Sequence, residues 1–383
     1  MHPEMTAYRV VIHRGGTSKG IFIKENELPR EQPERDRVIR AIFGSPDPRQ
    51  IDGLGGAEVL TSKLAVIGPS TRPDADVDYT FAQVSFDNEL VDYGGNCGNI
   101  SAAVGPFAID EGLVPAVEPV TRVRIHQVNT NCILIADVPV KQGKACVNGD
   151  CTIDGVPGTG ARILLDFADT VGSTTGRLLP TGNPVDLIQA GDYGEVEVSI
   201  VDAGNVLVFV EPHTLGLIGT ESCAEIESNA AVKAKMEAIR AACTVKIGLA
   251  QSPEQATKNS PYAPFFAIVS PPQDYESGID GRRILSSDID LTARLSFMLH
   301  MHKTYPGTGT VCTGAAARIP GTLVHRQLSE RAKKMPLLRI GHPGGVIPVV
   351  AERDDGGIFQ RLSYERTARR IMEGMVYINN DKA

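Results

Sequence analysis

The run Gly94-Gly95-Asn96-Cys97-Gly98-Asn99-Ile100-Ser101-Ala102-Ala103-Val104 sets a cysteine between asparagine and glycine, at the head of a stretch of small and apolar residues. The two glycines close a strand-like pattern from Tyr79 to Val91, and the small residues lead into a helix. A cysteine at the mouth of a helix stands beside unpaired backbone N–H groups and the positive end of the dipole. Both favour a thiolate and both attract carboxylate oxygens. Further along, Ile100, Val104, Phe107, Ala108 and Ile109 leave almost no polar face before Asp110 and Glu111. A helix apolar on nearly all sides must be enclosed, most simply by sheet wrapped around it, with a kink expected at Pro106.

A looser echo lies downstream in Gly307-Thr308-Gly309-Thr310-Val311-Cys312-Thr313-Gly314-Ala315-Ala316-Ala317. Two such passages suggest two similar half-chains facing one cleft. With 383 residues the chain has room for two domains, each with its own core. Aromatic residues are few (5%), tryptophan is absent, and glycine (39) and proline (25) abound, which fits many turns and short strands. Val-, Ile- and Leu-rich segments such as Tyr8 to Ile12, Leu64 to Ile67, Thr121 to Gln127, Cys132 to Val138, Glu195 to Val201 and Asn205 to Val210 predict a mainly antiparallel β protein. Helical spacing is read in Glu34 to Phe43, Asn229 to Gly248 and Asp288 to His302. The turn-forming cluster Leu179-Pro180-Thr181-Gly182-Asn183-Pro184 is the best candidate hinge, which puts a domain border after residue 184.

A net charge of −8 argues against a general nucleic-acid or anionic-membrane surface, so an acidic ligand has to be held by local groups. No run approaches a membrane span and no signal pattern opens the chain. Seven cysteines with no CxxC pair suit a reducing cytoplasm, with most thiols buried and inert. No ligand set for a metal stands out.

Two further glycine-rich passages, Arg14 to Gly20 and Asp52 to Gly56, should be loops in which backbone, hydroxyls and cations can approach a ligand. Lys63 stands just ahead of the apolar run Leu64-Ala65-Val66-Ile67. Burial there would lower its pKa and make it a base near neutral pH; the alternative is a solvated lysine at the start of a strand. Cys97 is open to a plainer reading as a small buried hydrophobe, and Cys312 more so. No histidine stands in a nucleophile elbow or metal-binding spacing, and His342, in Gly341-His342-Pro343-Gly344-Gly345, is expected to close a β turn.

The runs RGGTSKG (14–20), DGLGGAEVLTSKLAVI (52–67), GGNCGNISAAVGPFAIDEGLV (94–114), LLPTGN (178–183) and GTVCTGAAA (309–317) resemble the PrpF family. That family includes 2-methylaconitate cis-trans isomerases, 4-oxalomesaconate tautomerases, methylitaconate isomerases and aconitate delta-isomerases. The resemblance implies an α/β (α+β) architecture of the diaminopimelate epimerase-like kind: two pseudo-symmetric domains, each a β-barrel-like sheet around a central helix. The domains would be 1–184, with 366–383 returning to the first, and 185–365, the active site lying in the cleft between them. It implies Lys63 and Cys97 as catalytic residues. Substrate carboxylates would be held around Asn96, Gly98, Asn99, Cys312, Thr313, Gly314 and Ala315, helped by Thr17, Ser18 and Ser62. It implies no metal or organic cofactor, a small unsaturated di- or tricarboxylic acid as substrate, and association into homo-oligomers.

On this reading Lys63 removes an allylic proton, charge spreads through the double bond into a carboxylate or carbonyl, and Cys97 returns a proton or holds the enolate. Two other functions are compatible with the sequence. One is a two-cysteine racemase or epimerase using Cys97 and Cys312; the other is a carboxylate-binding protein without turnover.

Overall fold

The computed structural model describes residues 3–381. Two compact units divide the chain: one runs up to Leu165 and resumes at Arg366, and the other is Asp166–Glu365.

In the first unit β1 (Met5–Gly15) and β2 (Ser18–Lys24) form an antiparallel hairpin, and β3 (Lys63–Pro69) joins β2 in parallel. Next, β4 (Val77–Val84) runs antiparallel to β3, and the short β5 (Val91–Asp92) folds back on its end. Parallel to β4 lies β6 (Val120–Gln127), and β7 (Cys132–Lys141) returns antiparallel to β6. The strand Ala368–Asn379 pairs antiparallel with β1.

Helix α1 (Gln32–Phe43) turns Val38, Ile39, Ile42 and Phe43 onto one face of this sheet, against Val10, Ile21, Leu64, Val66 and Val84. Helix α2 (Gly98–Asp110) touches β1, β2, β3, β6 and β7, and every residue but Asp110 is buried. Close packing is possible because Gly105 has no side chain: a Cβ there would lie 2.8 Å from Val138 Cγ2. The apolar, small-residue composition of α2 therefore reflects enclosure by sheet, and the helix continues through Pro106.

The second unit repeats this topology. Strands Glu195–Ala203 and Asn205–Val210 form an antiparallel hairpin, Phe265–Ser270 joins in parallel, and Leu291–Phe297 runs antiparallel to it. Leu337–His342 then pairs in parallel and Gly345–Arg353 antiparallel. Helix Ala230–Lys246 takes the place of α1, capped by Asn229, whose Oδ1 accepts from the Val232 N–H, with Val232, Met236, Ile239 and Cys243 in the core. Helix Gly307–Ala317 takes the place of α2 and is buried throughout.

Two expectations are corrected. Asp288 to His302 is not a helix: Leu291–Phe297 is a strand, Met298 and Leu299 form a turn at φ 51 and 62, and His300–Met301 folds back. All seven residues of that strand are buried, and a strand covered on both faces loses the alternation that separates it from a helix. The units meet at 165/166 instead of 184/185. Residues 172–186 are tied to the second unit, with the Asp202 N–H donating to Leu178 O (2.9 Å), the Gly172 N–H to Asp202 O (2.8 Å) and the Ser199 hydroxyl to Pro184 O (2.6 Å). The sheets are mainly antiparallel, as the strand spacing predicts, with two parallel pairings in each unit.

Candidate active site

Lys63 is the first residue of β3 and is 2% exposed. The parallel pairing of β3 with β2 sets it opposite Gly20, and the antiparallel pairing with β4 sets it opposite Gln83. Its Nζ donates to Gln83 Oε1 at 2.9 Å and lies 5.4 Å from the centre of the Phe81 ring. Burial holds this ammonium below the ordinary lysine range, while the charge of Cys97 and a hydrogen bond to it pull the other way. The alternative of a solvated surface lysine is thereby removed.

A chain of buried amides surrounds Lys63. Gln83, 1% exposed, donates its Nε2 to Ser62 O (3.0 Å) and Val59 O (3.3 Å). The Ser62 hydroxyl donates to Gln50 Oε1 at 2.6 Å, and the Ala57 N–H donates to the same oxygen at 2.7 Å. Ser62 thus contributes its carbonyl to the mount of Gln83. Neither glutamine stands out in the sequence; the one signal for Gln83 is an amide inside the apolar run Phe81-Ala82-Gln83-Val84.

Cys97 is the N-cap of α2 and 8% exposed. Behind it, the first-turn N–H groups of Gly98, Asn99 and Ile100 have no intrahelical acceptor, and no acidic side chain offsets the helix dipole in that turn. The turn between β1 and β2 packs onto this helix start. Asn99 Nδ2 donates to Thr17 Oγ1 (3.1 Å), and Arg366 Nε donates to Asn99 Oδ1 (2.9 Å). Gly16 sits at φ +50, and a Cβ there would come within 2.3 Å of Asn99 Oδ1, so glycine is required for the loop to reach the helix. Ser18 is 2% exposed and its hydroxyl has no partner, whereas Asn96 accepts from the Ser101 hydroxyl at 3.1 Å. The structure thus brings Lys63, Cys97, Thr17, Ser18, Ser62, Asn96, Gly98 and Asn99 together in the first unit. Arg366 was missed because nothing in its local sequence marks it.

In the second unit the expected site residues sit elsewhere. The core helix begins at Gly307, so Cys312, Thr313, Gly314 and Ala315 lie in its body, and the first-turn amides are those of Gly307, Thr308 and Gly309. Cys312 is fully buried, its Sγ donates to Val201 O (3.2 Å), and burial raises its pKa well above the ordinary thiol value. Thr313 Oγ1 donates to Gly309 O (2.8 Å) and meets the Tyr305 hydroxyl at 2.9 Å. The residue in the place of Cys97 is Pro306. His342 does close a turn: its Nδ1 accepts from the Gly344 N–H at 3.1 Å.

Among the described residues, no group of three or more His, Cys, Asp or Glu side chains could hold a metal ion, and all seven cysteines are free. No described helix is long and apolar enough to cross a membrane.

Comparison with known proteins adds four findings. The profile of the PrpF protein family matches residues 5–379. A 3-methylitaconate isomerase of Eubacterium barkeri is 56% identical over 372 residues, 97% of each chain. The crystal structure of a methylitaconate-delta-isomerase matches with a TM-score of 0.81 at 55% identity, over 99% of this chain and 97% of that one. At 12% identity, a hydroxyproline epimerase from Agrobacterium vitis matches with a TM-score of 0.55 over 99% of this chain and 94% of the other, a likeness of fold alone that identifies the epimerase-like architecture.

Proposed function

The chain belongs to the PrpF family and is an isomerase of unsaturated acids, and on that premise we propose that it moves a proton across the allylic system of a small dicarboxylic acid of the methylitaconate type. The observation that carries this reading is a lysine deprived of water in contact with a thiol at a helix start. Neutral Lys63 takes a proton from the carbon allylic to the double bond, and the C–H electron pair passes into a dienolate. For 3-methylitaconate that carbon also adjoins a carboxylate, which makes its proton more acidic. Cys97 then gives its proton to the terminal methylene carbon, which becomes a methyl group. The Lys63 ammonium returns a proton to the Cys97 thiolate through their mutual contact, so both groups are restored with no net gain or loss.

The developing charge needs stabilisation by several kcal/mol, and oriented N–H donors supply about 3 kcal/mol each in such sites. The first-turn amides of α2 are such donors, and Ser18, the first residue of β2, directly follows the Thr17 that Asn99 contacts. The two-cysteine racemase reading loses support because Pro306 stands in the place of Cys97 and Cys312 points into the core. Seven free thiols support a reducing, cytoplasmic setting, and we propose self-association into a homo-oligomer, which sedimentation would check.

The test is proton NMR in D2O with 3-methylitaconate, 2-methylaconitate, 4-oxalomesaconate and cis-aconitate in turn. Deuterium entering the new methyl group of the methylitaconate product is the expected result. Turnover of another acid in the panel, with methylitaconate untouched, would reassign the substrate, and exchange in none would overturn the proposal.

A further inference from the structure

We propose that Gln83 is a positioning residue for Lys63, presenting a neutral acceptor that aims the amine while leaving it free to work as a base. This rests on the assignment of Lys63 as the base. Both N–H groups of the Gln83 amide are taken up by backbone carbonyls, Ser62 O at 3.0 Å and Val59 O at 3.3 Å. A flip of the amide would bring its oxygen against those carbonyls, so Oε1 must face Lys63, 2.9 Å away. One N–H of the amine is thereby committed, which limits the directions open to its lone pair.

The chemistry of the acceptor matters as much as its place. A carboxylate here would favour the ammonium and leave less free base near neutral pH, while an apolar group would leave the amine unaimed. The amide gives direction without charge. The ionisable groups on the elements packed against Lys63 are Lys19 and Lys24 on β2, Asp78 and Tyr79 on β4, Asp92 on β5, Cys97 at the start of α2 and Asp110 at its end, and of these Cys97 acts on the ammonium.

The second unit supplies an internal control. Phe265 begins the strand equivalent to β3 and pairs with nothing polar: Phe266 faces Ser296, which sets Phe297 beside Phe265, their ring centres 5.3 Å apart. The repeated fold is thus built with Phe297 where Gln83 stands. Since the topology does not need the amide, its presence in the first unit goes with the lysine.

Two readouts test this. One is kcat and KM against pH with 3-methylitaconate; the other is the 13Cε titration of Lys63 by NMR, its signal identified by loss in Lys63→Arg. For Gln83→Met, kcat should fall by about tenfold or more with KM little changed, and the Lys63 midpoint should move down as the ammonium loses its acceptor. If that variant does not fold, Gln83→Glu serves, with the midpoint and the acid limb of kcat/KM moving up by about one unit or more. Wild-type kcat together with an unmoved Lys63 midpoint in the folded variant would overturn the proposal. The NMR titration needs no turnover. If wild type is inactive on the acid, the function falls while the midpoint still reports on Gln83.

Discussion

Lys63 and Phe265 hold the same position in two copies of one topology. Each is the first residue of a strand that pairs in parallel with the third residue of the strand before it, Gly20 in one case and Leu207 in the other. One copy carries Lys63, Gln83 and Cys97, and the other carries Phe265, Phe297 and Pro306 at the corresponding places. A fold that forms with apolar residues at all three positions does not require the polar set for stability. Burying a lysine is a cost in the first unit that the second unit avoids.

That cost has a measurable sign. The folded pKa of Lys63 is lowered by burial, whereas an unfolded lysine titrates near 10.4. Between the two values the unfolded chain binds more protons, so this group makes stability rise with pH across that window. Lys63→Met should therefore melt at a higher temperature than wild type near pH 7, with the difference narrowing towards pH 10. Its kcat/KM should fall by about a thousandfold or more. Melting curves across pH, paired with the NMR turnover assay, check both; near-normal turnover would remove Lys63 from the mechanism.

The two cysteines should behave in opposite ways. Cys97→Ser, at the helix start, should lower kcat by about a hundredfold while the fold persists. Cys312→Ala removes a sulfur from a fully buried site and should cost about 1–2 kcal/mol of stability with kcat little changed. Urea unfolding and steady-state rates on both variants separate the roles. A large loss of kcat in Cys312→Ala at unchanged stability would revive the two-cysteine mechanism.

Glu111, at the C-terminal end of α2, gathers three cations: Arg9 Nη1 at 2.8 Å, Lys24 Nζ at 2.8 Å and Arg370 Nη2 at 2.5 Å. Desolvation alone would raise its pKa, but hydrogen bonds from these three groups outweigh it and hold the carboxyl well below the usual range. A depressed pKa means that the stabilisation is present above the unfolded value of about 4.3 and is lost as pH falls through the folded one. Glu111→Gln should cost about 1–3 kcal/mol, the cations being partly solvated. The gap in urea midpoints should be constant from pH 5 to 8 and close only in acid. A gap that does not depend on pH would assign the loss to packing instead.

Much was legible locally. The face of α1 and its stop at Gly44, the enclosed character of α2 and the position of Cys97 at its mouth all follow from spacings within about a dozen residues. Lys63 could be marked because an apolar run follows it directly. The strand Leu291–Phe297 was misread because burial on both faces erases its period.

The sequence by itself marked the two helix-led half-chains and singled out Lys63 and Cys97, and the resemblance of its motifs implied the class of fold. Tertiary structure alone decided that the second core helix begins at Gly307, which places Cys312 inside the core and Pro306 where a thiol was expected. It also decided the partners of the site: Gln83 lies 20 residues from Lys63, and Arg366 lies 267 residues from Asn99. The physical reason is common to these cases. A run of small residues carries no local signal for the point where a helix begins, and a hydrogen bond between distant segments is set by strand register, which only the assembled sheet supplies.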